Sequence, residues 1–409
     1  MSHPRSLNWA ICSGVKVPDS NVMLFTLIIG LSIGGEFPKI SPGVGPLLDG
    51  GEPRSRVWCV GEVSLHEGVS GEYLAQHLGE SGLKIESITP IGTGQMAESF
   101  RVSFAYGTHG QLPPSVVVKV PSQSESSRAA SRITRCYELE TGFYTHVCSL
   151  VGVSAPKCLH VWFDAPSDDF VLVLEDIVSG KQGDQIVGAT VEQARAAIDE
   201  LVQLHAPLWN SSQLDTLSWM PRHTMESSQG TRDLLRSVFT GFSTRFSSLV
   251  SAEVLELGAQ LVANIDGYDR AFPNNETIVH RDFRLDNLLF TESSHGTHVK
   301  VVDWQTASIS AGATDLAYFI GASFIPEQRR EIEADLVHRY HDGLSQAGIF
   351  LTWNEVWDQY RLFATSGYIM AIVASMLVKQ TERGDAMFAA MANRHGQQMI
   401  DLETLSLFR

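Results

Sequence analysis

One stretch of the sequence combines residue types suited to acid–base and metal chemistry. Residues 280–287 read HRDFRLDN, and sixteen residues after Asn287 an apolar run ends in Asp303. Phosphoryl transfer needs a carboxylate that orients an acceptor hydroxyl and takes its proton, and Mg²⁺ needs hard oxygen ligands. The spacing therefore predicts Asp282 as catalytic base, with Asn287 and Asp303 as Mg²⁺ ligands. His280 is assigned to the architecture of the loop.

A turn in the N-terminal half of the chain contains two glycines that could approach phosphate. Gly92 and Gly94 lie in the segment IGTGQMA, between two predicted strands. Because glycine has no Cβ atom, its backbone N–H groups can come close to phosphate oxygens. A plain hairpin turn is the alternative interpretation, since Ala97 replaces the third glycine of a GxGxxG loop. We expect Gly92 and Gly94 to contact the phosphates of ATP.

A lysine within an apolar strand is a further candidate for phosphate binding. Lys119 lies in the sequence VVVKV, where a buried ammonium group is costly without anionic partners. The following helix carries Glu138 and Glu140 on different faces, and Glu140 is the expected partner. A solvated lysine on an edge strand is the alternative. The pattern predicts that Glu140 holds Lys119 in position against the phosphates.

The elements that must position these residues fall into a strand-rich part and a helix-rich part. In the first part, Ser70 is expected to cap a short helix, and apolar runs predict five strands and one long helix. The strands are expected at Ile85 to Ile91, Ser99 to Phe104, Ser115 to Val120, Leu159 to Phe163 and Phe170 to Glu175, and the helix at Arg128 to Leu150.

The second part of the chain has mainly helical periodicity. It begins with Thr190 and Gln193, which are spaced as a capping box. Three short strands interrupt the helical pattern at residues 277–279, 288–290 and 299–302. Because these strands bracket the two polar motifs, they are expected to hold the catalytic residues.

Composition limits the possible partners and the compartment. The chain has 409 residues, with 46 acidic and 30 basic side chains and a formal net charge of -16. That charge repels phosphate backbones and anionic lipid surfaces, so neither nucleic acid nor stable membrane association is expected. Five widely spaced cysteines without a CxxC pair suggest neither a disulfide framework nor a zinc site. A reducing cytoplasm is the expected location.

The first sixty residues differ in composition from the rest of the chain. Residues 34–56 are dense in Gly, Pro, Ser and charge, a composition that buries little apolar surface. We therefore expect residues 1–60 to be a poorly ordered N-terminal extension. Val22 to Ile33 is apolar, but it is shorter than the roughly 20 residues of a spanning helix. No clean cleavage pattern follows it, which disfavours a signal peptide.

The two polar motifs resemble those of a known family. HRDFRLDN followed by VVDWQ is similar to the catalytic and metal loops of the aminoglycoside phosphotransferase and choline-kinase-like superfamily, which includes ecdysteroid-kinase-like proteins. Arg281 stands where this small-molecule branch more commonly has glycine. Asp315, in GATDLAYFI, resembles the helix start that follows the metal loop. The strand VLVLED, which ends in Glu175 and Asp176, resembles the strand that leads into the hinge where the adenine of ATP binds.

The resemblance implies a fold and a reaction. The fold class is α+β, a protein-kinase-like architecture with a β-rich N-lobe at residues 64–176 and a mainly helical C-lobe at residues 177–409. ATP and Mg²⁺ are the implied cofactors, and the implied reaction is phosphorylation of a hydroxyl group on a small metabolite. Two alternatives remain open, a protein Ser/Thr kinase and a non-catalytic nucleotide-binding module. The missing DFG and APE motifs disfavour the protein kinase, and the intact set of polar residues disfavours the non-catalytic module.

Overall fold

The computed structural model describes residues 69–80, 82–92, 96–105, 112–378 and 380–408. The expected extension at residues 1–60, including Val22 to Ile33, lies outside these ranges. Two lobes are present, a five-stranded antiparallel sheet with its helices and a mainly helical part. The predicted α+β, two-lobed fold class is therefore confirmed.

The N-lobe sheet has the strand order β1-β2-β3-β5-β4. Its strands are β1 (Ile85–Pro90), β2 (Ala97–Phe104), β3 (Ser115–Pro121), β4 (Cys158–Asp164) and β5 (Asp169–Glu175). All five strands predicted from sequence are present, with ends that differ by one or two residues. Alternate residues of β5 enter two different cores, because successive side chains of a strand point to opposite faces. The sheet is consequently covered on both sides.

The helices of the N-lobe follow the sequence prediction less closely. The first, α1 (Gly71–Leu78), is capped by Ser70 as predicted. The prediction of a single long helix at Arg128 to Leu150 is wrong. The chain instead forms α2 (Glu125–Thr134), α3 (Cys136–Gly142) and a π-helical turn at Phe143–Val147.

The break between α2 and α3 is at Arg135, which adopts the left-handed conformation with φ of 56°. An L-residue pays an energetic cost for this conformation, so the surroundings must hold it there. The Arg135 guanidinium donates to Glu138 at 2.6 and 2.7 Å and to the carbonyl oxygen of Trp219 at 2.7 Å. These contacts fix the point at which the second helix starts.

The C-lobe consists of seven helices and five short strands within the described residues. The helices are α4 (Val191–His205), α5 (Gln229–Arg245), α6 (Ala252–Arg270), α7 (Ala313–Ser323), α8 (Pro326–Gln346), α9 (Trp353–Leu377) and α10 (Glu382–Asp401). The capping box predicted for α4 is present, with both hydrogen bonds between Thr190 and Gln193 formed. Helix α9 packs against α5, α7 and α10 at the centre of the lobe.

The strands of the C-lobe form two small sheets around the polar motifs. One sheet pairs β7 (Thr277–Val279) with β10 (Ser308–Ser310), and the other has the order β6 (Lys181–Gln182), β8 (Leu288–Ser293), β9 (Gly296–Val301). The three strands predicted here are present. The sequence prediction missed β6 and β10, which have two and three residues and are too short to show a period-two pattern.

By length and composition, α9 could cross a membrane. In the most apolar window of this helix, however, 78% of the residues are buried inside the protein. The helix carries apolar residues around its whole circumference because it is surrounded by other helices of the lobe. It is the central core helix of the C-lobe.

A histidine in this core gives the fold a dependence on pH. His395 on α10 is completely buried, and its ring occupies space left by Gly321 and Gly367, where a Cβ atom would collide with it. Burial lowers the pKa of His395 to about 3. The ordinary pKa of histidine is 6.5. Between pH 6.5 and about 3, the unfolded chain therefore binds a proton at His395, whereas the folded protein does not.

We expect acid to destabilise the fold through His395 between pH 6.5 and about 3. When the pH falls from 7 to 5, protonation of His395 in the unfolded chain should lower the free energy of unfolding by about 2 kcal/mol, as follows from its pKa values in the two states. In His395→Gln, the difference in unfolding free energy between pH 7 and pH 5, measured with urea, should shrink by that amount. The exposed His295 provides the control variant, His295→Gln, which should keep the wild-type difference. An unchanged difference in His395→Gln would contradict the prediction.

Candidate active site

The loop at residues 280–287 is fixed by one buried carboxylate. Asp315 on α7 accepts hydrogen bonds from the backbone N–H groups of His280 at 2.6 Å and Arg281 at 2.9 Å. It also lies 3.4 Å from His205 Nε2. Burial opposes its charge, but the hydrogen bond with His205 and the charges around it lower the pKa of Asp315 below its ordinary value. An ionised carboxylate thus holds the start of the loop in place.

His280 has the architectural role predicted for it. Its Nδ1 accepts from the backbone N–H of Asp282 at 3.3 Å, so Nε2 carries the proton and donates to the carbonyl oxygen of Val302 at 3.0 Å. The hydroxyl of Thr306 donates to the carbonyl oxygen of His280 at 2.6 Å. His280 therefore ties the catalytic loop to the segment that carries Asp303.

Asp282 receives hydrogen bonds on both carboxylate oxygens. Arg284 Nε lies 3.0 Å from Oδ1 and 3.2 Å from Oδ2, the hydroxyl of Tyr318 donates to Oδ1 at 3.1 Å, and Asn287 Nδ2 donates to Oδ2 at 2.9 Å. Burial and the neighbouring Asp282 raise the pKa of Tyr318 well above its ordinary value, so its hydroxyl remains a donor. The carboxylate is oriented by three side chains.

Arg284 joins two acids of the same loop. Besides Asp282, its guanidinium contacts Asp286. Burial disfavours charge on Arg284, but Asp282, Tyr318 and Asp286 outweigh it and raise the pKa of the guanidinium above its ordinary value. Sequence reasoning did not assign a role to Arg284 or to Tyr318. For Arg284, the alternation of charge in RDFRLD was the only local signal. Tyr318 lies on α7 and contacts Asp282 only through tertiary packing, which the local sequence does not indicate.

Asn287 and Asp303 lie on adjacent segments. The backbone N–H of Val302 donates to the carbonyl oxygen of Asn287 at 3.0 Å, which joins the end of the catalytic loop to the residue before Asp303. Asn287 Nδ2 is used by Asp282, and no hydrogen bond reaches Asn287 Oδ1 from the described residues. Asp303 has φ of 70°, and its side chain is 28% exposed. The Asp303 carboxylate accepts from Lys119 and from Gln305, each at 3.2 Å, and together with Asn287 Oδ1 it offers the oxygen ligands that a hard cation prefers.

Lys119 connects the two lobes. Its Nζ lies 2.6 Å from both carboxylate oxygens of Glu140 and 3.2 Å from Asp303 Oδ1. Burial opposes the charge, but Glu140 and Asp303 raise the pKa of Lys119 above its ordinary value. The ion pair predicted between Lys119 and Glu140 is present, and Glu138 pairs with Arg135 instead.

The glycine-containing turn is only partly described. Gly92 has φ of 74°, a conformation in which glycine avoids the strain of other residues, and Gly94 lies outside the described ranges. The hydroxyl of Tyr137 on α3 donates to the carbonyl oxygen of Met96 and accepts from the backbone N–H of Ser122 at 3.1 Å. The end of the turn is thus attached to the helix that carries Glu140.

At the predicted hinge, both acidic side chains are used by the N-lobe itself. Asp176 accepts from Arg101 at 2.7 and 3.0 Å and from Ser115 at 2.6 Å, and Glu175 accepts from the backbone N–H of Lys157 at 3.2 Å. These contacts anchor the end of β5 to its neighbours. The backbone N–H of Glu175 also donates to the carbonyl oxygen of Lys157 at 2.9 Å, so the two predicted hinge acids act within the N-lobe.

Two further sequence interpretations can be compared with the structure. His205, expected to be a core histidine with satisfied hydrogen bonds, is fully buried and lies 2.8 Å from the hydroxyl of Tyr340. The helical spacing of Trp353, Trp357 and Tyr360 in the sequence fits either core packing or one wall of an acceptor pocket. Trp353 stacks on Trp357, both are partly buried and pack against the core, and Tyr360 is fully buried, so the core interpretation is confirmed.

Comparison with known proteins agrees with this arrangement. The Ecdysteroid kinase-like family matches residues 92–349, which is more than half of the chain. The chain belongs to this family. The resemblance to choline-kinase-like proteins, including the ecdysteroid-kinase-like ones, is therefore confirmed. No curated protein matches the sequence at a significant level.

Solved structures show which fold this member of the Ecdysteroid kinase-like family adopts. A choline kinase from Cryptosporidium parvum Iowa II superposes with a TM-score of 0.51 at 13% identity, covering 79% of this chain and 91% of that one. A protein assigned as an aminoglycoside phosphotransferase from Ralstonia eutropha JMP134 superposes with a TM-score of 0.50 at 16% identity, covering 82% and 97%. The predicted protein-kinase-like fold is confirmed, and family and fold together indicate a small-molecule kinase.

Proposed function

We propose that the protein transfers the γ-phosphoryl group of ATP to a hydroxyl group of a small molecule, with Asp282 as the catalytic base. The observation that carries this proposal is that Lys119 of the N-lobe meets Asp303 of the C-lobe, next to the loop that carries Asn287 and Asp282. In the reaction, Asp282 accepts the proton of the attacking hydroxyl while the γ-phosphoryl group is transferred.

The residues around the base support this role. The donors Arg284, Tyr318 and Asn287 hold the Asp282 carboxylate in one orientation, so the base needs little reorganisation when an acceptor hydroxyl arrives. Arg284 also supplies a fixed positive charge next to the position where the phosphoryl group is transferred.

The same residues fit ATP and Mg²⁺. Asn287 Oδ1 and Asp303 would hold Mg²⁺, Lys119 would hold the phosphates, and the backbone after β5 would meet the adenine. When bound, Mg²⁺ neutralises charge on the phosphate oxygens. Lys119 Nζ lies 3.2 Å from Asp303 Oδ1, so the proposed phosphate lysine and the proposed Mg²⁺ ligand are neighbours.

The segment after Asp303 supports a small acceptor rather than a peptide. Only nine residues, 304–312, separate Asp303 from α7, and all of them except Gln305 are buried. Trp304 stacks on Phe143 with ring centroids 3.7 Å apart. A segment packed in this way offers no exposed backbone on which a protein substrate could dock.

The proposal is tested by incubating the enzyme, ATP and Mg²⁺ with a metabolite extract and, separately, with a protein extract. Mass spectrometry should show phosphorylated small molecules, and Asp282→Asn should abolish their formation. Labelling of proteins alone would contradict the choice of a small acceptor. Absence of phosphate transfer in both extracts, together with normal ATP binding, would favour the non-catalytic module.

A further inference from the structure

A cavity in the C-lobe lies directly beside the proposed base. It has a volume of about 70 Å³ and is lined by residues of α5, α6, α7 and α9, of the loop before α5 and of the catalytic loop. Tyr318, whose hydroxyl donates to Asp282, forms part of its wall, and so does Arg281. Leu235, Ile265 and Ile369 make a large part of the lining apolar. A ligand group that enters this cavity therefore lies next to the catalytic loop.

Apart from the ion-paired Arg232 and Asp269, two polar atoms in the cavity wall are buried without a hydrogen-bond partner. They are Thr314 Oγ1 and His223 Nε2, and Thr314 is only 3% exposed. Burying polar atoms without hydrogen bonds costs free energy, so such atoms are usually paired in proteins. Two of them facing one small cavity indicate that a polar ligand satisfies them.

The hydrogen bonds of His223 determine what it offers to a ligand. Ser228 Oγ donates its proton to the carbonyl oxygen of Thr224 at 2.8 Å, so towards His223 Nδ1, at 3.3 Å, it acts as acceptor. Nδ1 therefore carries the ring proton, and Nε2 is a bare acceptor. Burial, with Arg281 and Arg232 nearby, lowers the pKa of His223 to about 3, so the ring is neutral. His223 Nε2 is suited to accept a hydrogen bond from a ligand hydroxyl.

Arg281 brings to the same cavity a positive charge that has no direct ion-pair partner among the described residues. Its backbone N–H is held by Asp315, but its guanidinium forms no ion pair and no hydrogen bond with any residue in the described ranges. The other arginine of the wall, Arg232, is paired with Asp269. Arg281 also has φ of 70°, which favours glycine. A strained residue with an unpaired charge in a cavity indicates a functional side chain.

We propose that this cavity is the acceptor subsite and that Arg281 selects the acceptor by charge. The acceptor presents an oxygen to Arg281 and a hydroxyl to His223 and Thr314, on a largely apolar body without positive charge. Cationic alcohols are disfavoured, because Arg281 would repel them in a poorly solvated site. The inference rests on the proposed phosphotransferase function.

The test separates a metabolite extract into cationic, neutral and anionic fractions and follows phosphate incorporation from ATP in each. Wild-type enzyme should phosphorylate neutral or anionic compounds. Arg281→Gly removes the side chain and relieves the positive φ, so its melting temperature should stay near that of wild type. Its KM for those compounds should rise about tenfold, the loss expected for one charge-assisted hydrogen bond. Arg281→Glu should lose still more activity on the neutral and anionic compounds and should gain activity on the cationic fraction.

The control variant is Arg195→Glu, which makes the same charge change at an exposed position of α4. It should keep the wild-type acceptor profile. Products mainly from the cationic fraction, or unchanged KM values in both Arg281 variants, would overturn the proposal.

If the wild-type enzyme phosphorylates no fraction, the proposed function fails, and charge selection is then judged by binding. The melting temperature of wild type and Arg281→Glu is measured in each fraction. Stabilisation by the neutral or anionic fraction that is lost in Arg281→Glu supports the subsite. Equal shifts in both proteins, or no shift in either, overturn it.

Discussion

Asp282→Asn is expected to lower kcat by about three to four orders of magnitude while ATP still binds. A positioned general base contributes a factor of about 10² to 10⁴, and Asp282 also orients the hydroxyl that attacks. The base acts on the acceptor and has no contact with Lys119, so the dissociation constant for ATP should stay within a factor of about three of wild type. Steady-state kinetics and a fluorescent ATP analogue measure the two quantities.

Asp286→Asn is the matched control for this variant. Asp286 lies in the same loop and also contacts Arg284, but it does not contact Tyr318 or Asn287. It should lose less than about tenfold in kcat, since its carboxylate positions Arg284 and accepts from the backbone N–H of Gln185 at 3.2 Å but does not take part in proton transfer. Equal losses in the two variants would mean that the loop, and not the base, was disturbed. Turnover near the wild-type level in Asp282→Asn would remove Asp282 from the mechanism.

The parts of the fold that sequence could predict are those specified by local signals. The strand VVVKV and the capping box at Thr190 are encoded within a few residues, and both are found where expected. The ion pair of Lys119 with Glu140 could be predicted because a cation in an apolar strand requires an anion nearby. Local patterns of this kind predict the structure correctly because the folded chain forms the same local contacts that the sequence favours.

The features that sequence could not predict depend on tertiary contacts. The helical periodicity continues through Arg135, and only its contacts with Glu138 and the Trp219 carbonyl explain the break. Tyr318 reaches Asp282 from a helix that begins 31 residues after it, and nothing in the local sequence indicates that contact. The charge of Arg281 became informative only when the structure placed it in the wall of a cavity, with no ion-pair partner among the residues that the structure describes.

Asp303→Asn is expected to lower kcat/KM by about two to three orders of magnitude and to raise the Mg²⁺ concentration needed for half-maximal rate. The side chain keeps its shape but loses the negative charge that binds a hard cation. Asn tolerates the left-handed conformation better than most residues, so the φ of 70° at this position adds little strain in the variant. The melting temperature should therefore change little, and the loss can be assigned to ligand chemistry.

Glu140→Gln separates the role of Asp303 as a Mg²⁺ ligand from its role as a partner of Lys119. Both variants remove one of the two negative charges next to Lys119, but Glu140 is 2% exposed and belongs to the N-lobe helix α3. If Asp303 binds Mg²⁺, only Asp303→Asn shifts the Mg²⁺ dependence, whereas Glu140→Gln weakens ATP binding at an unchanged Mg²⁺ midpoint. The measurement is the rate as a function of Mg²⁺ concentration at fixed ATP. Identical Mg²⁺ midpoints for the two variants would show that Asp303 acts through Lys119 and not through a metal.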